Sequence, residues 1–195
     1  IIGRAPTQAT VGEDFKTALG SSRYNLVQGS EYSADPVSPS VITTTNSYDI
    51  NQIASNYYND SGTVKYSKGL YLNCSSKSPC TLGTDSSPQI TYVKGITNLN
   101  GYVTGSGVLV TEGDTYIDDY FEYHGLVVNL DGHFRLDDYS KIFGAVLLGS
   151  TSDDQSFEMR DDTKIYYSSD AISMAEGLCG TCLPKASRVS AWVDK

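Results

Sequence analysis

A repeat in the second half of this chain restricts its fold more than any other feature. Gly107-Val108-Leu109-Val110, Gly125-Leu126-Val127-Val128 and Gly144-Ala145-Val146-Leu147-Leu148 begin at intervals of 18 and 19 residues. A turn follows each: Glu112-Gly113-Asp114, Asp131-Gly132 and Gly149-Ser150. A second strand-like run comes next: Thr115-Tyr116-Ile117, His133-Phe134-Arg135-Leu136 and Ser156-Phe157-Glu158-Met159. Ile90-Thr91-Tyr92-Val93 with Lys94-Gly95-Ile96 reads as an earlier, degenerate copy, and Tyr166-Tyr167-Ser168-Ser169 as the start of a last one. One such unit cannot bury its apolar side alone, whereas stacked units share a continuous core. The period predicts a mainly β fold, a short parallel β-solenoid, with Val110, Val128 and Leu148 in one column at about 4.8 Å per coil. An antiparallel meander would also repeat its strands, but hairpins do not require this regular phasing of glycine, apolar run, turn and strand.

The composition agrees with strands and turns: 15 Tyr and 18 Gly, with many Ser and Thr, suit half-buried strands joined tightly. Asp and Glu number 23 against 14 Lys and Arg, a net charge of -9. Nucleic-acid backbones are bound by clustered Lys and Arg, and no such cluster occurs, so a nucleic-acid partner is not expected.

Before the repeat the pattern is different. Glu13 to Leu19 reads as a short helix, and Ser30 to Ser40, with Pro36 and Pro39, as a loop. Ile50, Ile53, Ala54, Tyr57 and Tyr58 recur at helical spacing; Asn46 or Ser47 is expected to cap that helix, with Asp49 favourable at its positive end. Cys74 to Pro88 reads as an excursion. The expected organisation is a helix- and loop-containing portion over residues 1–87, holding the Cys74–Cys80 loop, and a solenoid with a C-terminal cap over 88–195.

The four cysteines form two local pairs, Cys74 with Cys80 and Cys179 with Cys182. In an acidic, Tyr/Ser/Thr-rich chain the favoured reading is two disulfides formed in an oxidising compartment. A four-thiolate zinc site and a redox-active C-x-x-C are the alternatives. The pair near the C-terminus is expected to help cap the open end of the stack. No stretch is apolar and long enough to span a membrane, and no signal peptide is visible.

Three acidic pairs follow the second strands: Asp118 and Asp119, Asp137 and Asp138, Asp161 and Asp162. In a solenoid they would stack along one edge. Asp at a corner accepts bonds from backbone N–H groups, which is the first expectation. Calcium, which takes oxygen ligands, is the candidate cation for such columns; no other cofactor is expected. Stacked carboxylates also suggest a carbohydrate-active β-helix enzyme with an acid and a base, but the sequence shows no cleft to go with them. His124 and His133 read as exposed corner residues, since no Ser-His-Asp arrangement or metal-binding pair can be built from their spacing. No catalytic residue is assigned.

From Pro88 onward the chain resembles the PilX-like type IV pilus assembly proteins. The matching phrases are Gly105-Ser106-Gly107-Val108-Leu109-Val110 with Gly113-Asp114, then Gly125-Leu126-Val127-Val128, and Ile142-Phe143-Gly144-Ala145-Val146-Leu147. Tyr167 to Ile172 and Arg188-Val189-Ser190-Ala191-Trp192 fit the ending, and Asp49 to Tyr58 matches more loosely. The resemblance covers roughly 100 residues. It implies a non-enzymatic accessory, or minor, subunit of a type IV pilus, with other pilin or assembly subunits as partners. It also implies a pilin-like hydrophobic helix upstream as the only membrane contact, and a place in the periplasm, at the cell surface or in the pilus. The cysteine pairs are not part of the resemblance. An adhesin or glycan-binding module is the alternative function.

Overall fold

The computed structural model describes residues 2–3, 42–43, 49–149 and 156–183. The chain divides into two compact units, residues 1–48 and 49–195. In the first, β1 (Ile2–Gly3) pairs in parallel with β2 (Ile42–Thr43). The expected helix from Glu13 to Leu19, the loop from Ser30 to Ser40, and the caps Asn46 and Ser47 lie outside the described residues.

The second unit opens with α1 (Ile50–Asn59), the amphipathic segment read from the sequence. Its N-cap is Asp49, whose Oδ1 accepts the Gln52 N–H at 3.0 Å. Asp49 thus stands at the positive end of the helix, as expected, and itself supplies the cap. Ile53, Ala54 and Tyr57 form the buried stripe.

Beyond α1 the chain winds into a parallel β-solenoid whose turns have three sides. Side one comprises β3 (Val64–Tyr66), β6 (Gln89–Val93) and the second halves of three long strands, β8 (Val103–Thr111), β10 (Phe121–Asn129) and β12 (Lys141–Leu148). Side two is a five-stranded sheet of β4 (Leu70–Cys74), β7 (Thr97–Gly101), β9 (Thr115–Ile117), β11 (His133–Leu136) and β13 (Ser156–Met159). Side three holds β5 (Cys80–Leu82), the first halves of the long strands, and β14 (Lys164–Tyr167). The ladders joining these strands are parallel, as the period predicts.

The repeated glycine lets one strand serve two sides. Gly107, Gly125 and Gly144 pair in register at the bend, with φ of 122°, 145° and 146°. A Cβ on Gly125 would stand 1.9 Å from the Gly107 carbonyl oxygen, and one on Gly144 1.9 Å from that of Gly125. Both the backbone conformation and the close approach require glycine.

Inside the stack, Leu109 and Val127 from side one, Leu99, Ile117 and Leu136 from side two, and Phe121 and Ile142 from side three form the core. Each such side chain removed from water contributes about 1.5–3 kcal/mol. The corner after side one holds a polar ladder: Asn129 Nδ2 donates to Thr111 Oγ1 and Gly113 O, both at 3.0 Å, and Thr115 Oγ1 bonds Thr111 Oγ1 at 2.9 Å. The ladder matches Thr111, Thr115 and Asn129 to one another, whereas the buried Thr97 hydroxyl, which stands one turn before Thr115, has no partner.

Side one is apolar on its outer face as well. Ile90, Val108, Val110, Leu126 and Val128 form a second cluster with residues of α1 and of α2 (Ser169–Leu178). Two-sided burial explains why these strands read as unbroken apolar runs. It also corrects the predicted column. Val110 and Val128 do pair, but on this outer face, and the next residue in the column is Leu147; Leu148 pairs with Asn129 and belongs to the interior cluster. A shift of one residue moves a side chain to the opposite face.

The solenoid begins earlier than residue 88. Its first turn is formed by β3, β4 and β5, so the expected excursion from Cys74 to Pro88 contains a ladder strand. Both disulfides are formed, Cys74–Cys80 and Cys179–Cys182. The second does not roof the stack. It lies in the outer cluster of side one, where the Cys182 carbonyl accepts the Asn56 side-chain amide at 3.2 Å and ties the end of α2 to α1.

Candidate functional site

The corner from side two to side three is where the acidic pairs fall. Backbone bonds set its register: Asp118 N to Leu99 O at 2.9 Å, Asp137 N to Ile117 O at 2.8 Å, Arg160 N to Leu136 O at 3.0 Å. Asp118, Asp137 and Arg160 therefore occupy equivalent positions. The next position in each turn is left-handed, with φ of 66° at Asp119, 54° at Asp138 and 52° at Asp161. Asp is among the few residues other than glycine that tolerate this conformation; at the second of these corners the Asp138 N–H also donates to Asp137 Oδ1 at 3.0 Å. The third acidic pair is thus displaced by one: Asp161 stands in the column of Asp119 and Asp138, while Asp162 takes the position occupied by Tyr120 and Tyr139 in the turns before it.

Arginines divide the carboxylates. Arg135 binds Asp118 Oδ1 at 2.8 Å and lies 3.6 Å from Asp137 Oδ2; Arg160 lies 3.9 Å from Asp137 Oδ2 and bonds Glu158 Oε1 at 2.8 Å. The Arg160 hydrogen bond draws the Glu158 carboxyl below the usual range. Asp161 moves the opposite way: its hydrogen bond with Asp137, then desolvation and the surrounding carboxylates, push it up. Of the six aspartates proposed as cation ligands, Asp137, Asp138 and Asp161 bring ligand atoms within 4.8 Å of one another. These three could hold a cation such as calcium only with water or carbonyl oxygens completing its shell, and two guanidinium groups already stand beside Asp137. Asp118 is engaged by Arg135, and neither Asp119 nor Asp162 joins the group.

Aromatic rings run alongside. Tyr102 and Tyr120 stack at 5.0 Å with an interplanar angle of 19°, and Tyr139, at the same position one turn on, is 63% exposed. Arg135 lies 5.3 Å from the Tyr116 ring. The sequence pattern alone does not single out Arg135, Glu158, Arg160 or this tyrosine row as parts of one edge. The row has a readable signal all the same, since Tyr120 and Tyr139 each follow an acidic pair directly.

The histidines are partnered across turns rather than free at corners. His124, on the outer face of β10, has Nδ1 3.1 Å from Asp85 Oδ1 and its ring edge-on to Phe143 at 5.0 Å. His133 Nε2 lies 3.4 Å from Glu158, and its ring centroid is 5.7 Å from that of Tyr116. Among the described residues no helix is long and apolar enough to cross a membrane. The two disulfides accord with an oxidising compartment.

The fold and its edge define a three-sided parallel β-solenoid bearing an ordered row of carboxylates, arginines and tyrosines. Neither a family model, nor a curated protein, nor a solved structure matches the chain.

Proposed function

We propose that this chain is a non-enzymatic accessory subunit of a type IV pilus or pilus-like filament, acting outside the cytoplasm in assembly or surface presentation. The observation that carries the reading is positional. The phrases that resemble the PilX-like proteins, Gly107 to Val110, Gly125 to Val128 and Gly144 to Leu147, are the bend and outer strand of successive turns. That these phrases fall at repeated positions of one stacking plan supports the reading. A rigid stack of this kind holds outward side chains at fixed spacing, and exposed aromatic rings supply large contact area at low entropic cost. The partners would be other pilin or assembly subunits.

The test is a photo-cross-linking residue placed at Tyr139 in cells that make the filament. Adducts with filament subunits in the sheared surface fraction are expected. Recovery of the chain solely in an unassembled pool, with filament number unchanged on its deletion, would overturn the reading. The exposed tyrosine row favours one second reading, a glycan-binding module. It predicts saturable binding to a polysaccharide without turnover, lost in Tyr102→Ala and Tyr139→Ala.

A further inference from the structure

Among the described residues, the first and last turns of the stack each have all three sides. The first passes through sides one, two and three as β3, β4 and β5, and the last as the second half of β12, then β13 and β14. Among the described residues, each of these segments pairs on one side only. Within the described residues the two ends therefore offer backbone edges without a ladder partner, with the same order of sides and the same chain direction. Unpaired edges of this kind are templates for another chain.

Interior positions at these ends are also incompletely covered. Leu109, Val127 and Ile117, midway along the stack, are fully buried, whereas Val64, Phe157 and Met159, which occupy equivalent inward positions, are 40%, 41% and 40% exposed. Charge separates the ends. Residues 60–88 carry three lysines against two aspartates, while 156–170 carry four acidic residues against Arg160 and Lys164.

We propose that a second copy of this chain docks head to tail, its first turn resting on the last turn of the copy below. Continuing the register of the stack would set Leu70 and Leu72 over Phe157 and Met159, Val64 over Val146, and Leu82 over Ile165. A junction between two C-terminal ends would instead oppose two sets of Glu158, Asp161 and Asp162. Unlike ends are therefore preferred, and a contact between unlike ends does not close on itself. The inference stands apart from the pilus reading, since it concerns the purified chain alone.

The test is analytical ultracentrifugation across a dilution series. The native chain is expected to rise above its monomer mass of 21.1 kDa with concentration. Met159→Lys at one end or Val64→Lys at the other should each weaken association by about tenfold or more. An equimolar mixture of the two variants should recover one good junction and stop at the dimer. A native chain that stays monomeric throughout, or a Met159→Lys chain that still self-associates, overturns the proposal.

If either lysine variant fails to fold, exposed positions decide the matter. A Glu158→Cys chain should cross-link to a Tyr71→Cys chain and not to itself. Equal self-cross-linking, or none in either mixture, counts against the junction.

Discussion

At Gly125, adding a single methyl group tests the whole stacking plan. The new Cβ would lie 1.9 Å from a backbone oxygen that cannot move without displacing the turn below, and φ there is 145°. Gly125→Ala is expected to lower unfolding free energy by about 3 kcal/mol or more in chemical denaturation. Gly177→Ala is the control: it lies within α2 with nothing within 4 Å of the added atom, and should gain about 0.5–1 kcal/mol. Asp161 gives a pH-dependent case. Its carboxyl is pushed up by Asp137, so its ionised form is disfavoured in the folded state. The resulting loss of stability is absent at low pH and develops as pH rises through the folded-state value. Asp161→Asn keeps a residue that tolerates the left-handed turn and removes the charge. The variant should melt above the native protein at pH 7, with the gap closing toward pH 3; a gap independent of pH would contradict the assignment.

Among the elements, the outer layer on side one is the least expected part. The Cys179–Cys182 link sits between α1 and α2, away from the interior of the stack. Closing so short a loop contributes about 2 kcal/mol in the chain-entropy view. Replacing both residues by serine should lower stability by that order while leaving the β signal in circular dichroism unchanged below the transition. Loss of the β signal at room temperature would mean that the pair supports the solenoid itself. Glycine, apolar run and turn gave the repeat length directly, because backbone geometry fixes which residues can occupy the bend. The Ile50 to Tyr58 helix was equally plain from its spacing. Which face of each strand meets the core was not legible: Val108 to Val110 is apolar throughout, and period-two alternation disappears when both faces are buried. The acidic edge was half legible. Asp119 and Asp138 mark the corner by their tolerance of a positive φ, but Asp161-Asp162 looks the same in sequence and sits one position later, because Arg160 fills the place of Asp118 and Asp137. The bridges from Arg135 to Asp118 and from Arg160 to Asp137 depend on contacts between turns that no local pattern announces.

For the solenoid as a whole, stability should be graded along the axis. Each turn touches only the turns above and below, so an end turn has one interface where a middle turn has two. Opening an end turn exposes less apolar surface and costs less free energy than opening β8 or β10, whose inward residues are fully buried. Native-state hydrogen exchange should therefore give the slowest amides in β8 and β10 and faster ones in β3, β4, β13 and β14. The same measurement carries a second comparison. Where copies dock end to end, concentrating the protein should slow exchange in β4 and β13 together, since both edges enter one junction, and leave β10 as it was. Slowing confined to β13 would indicate pairing between C-terminal ends, and slowing spread evenly over every strand would indicate general stabilisation without a junction.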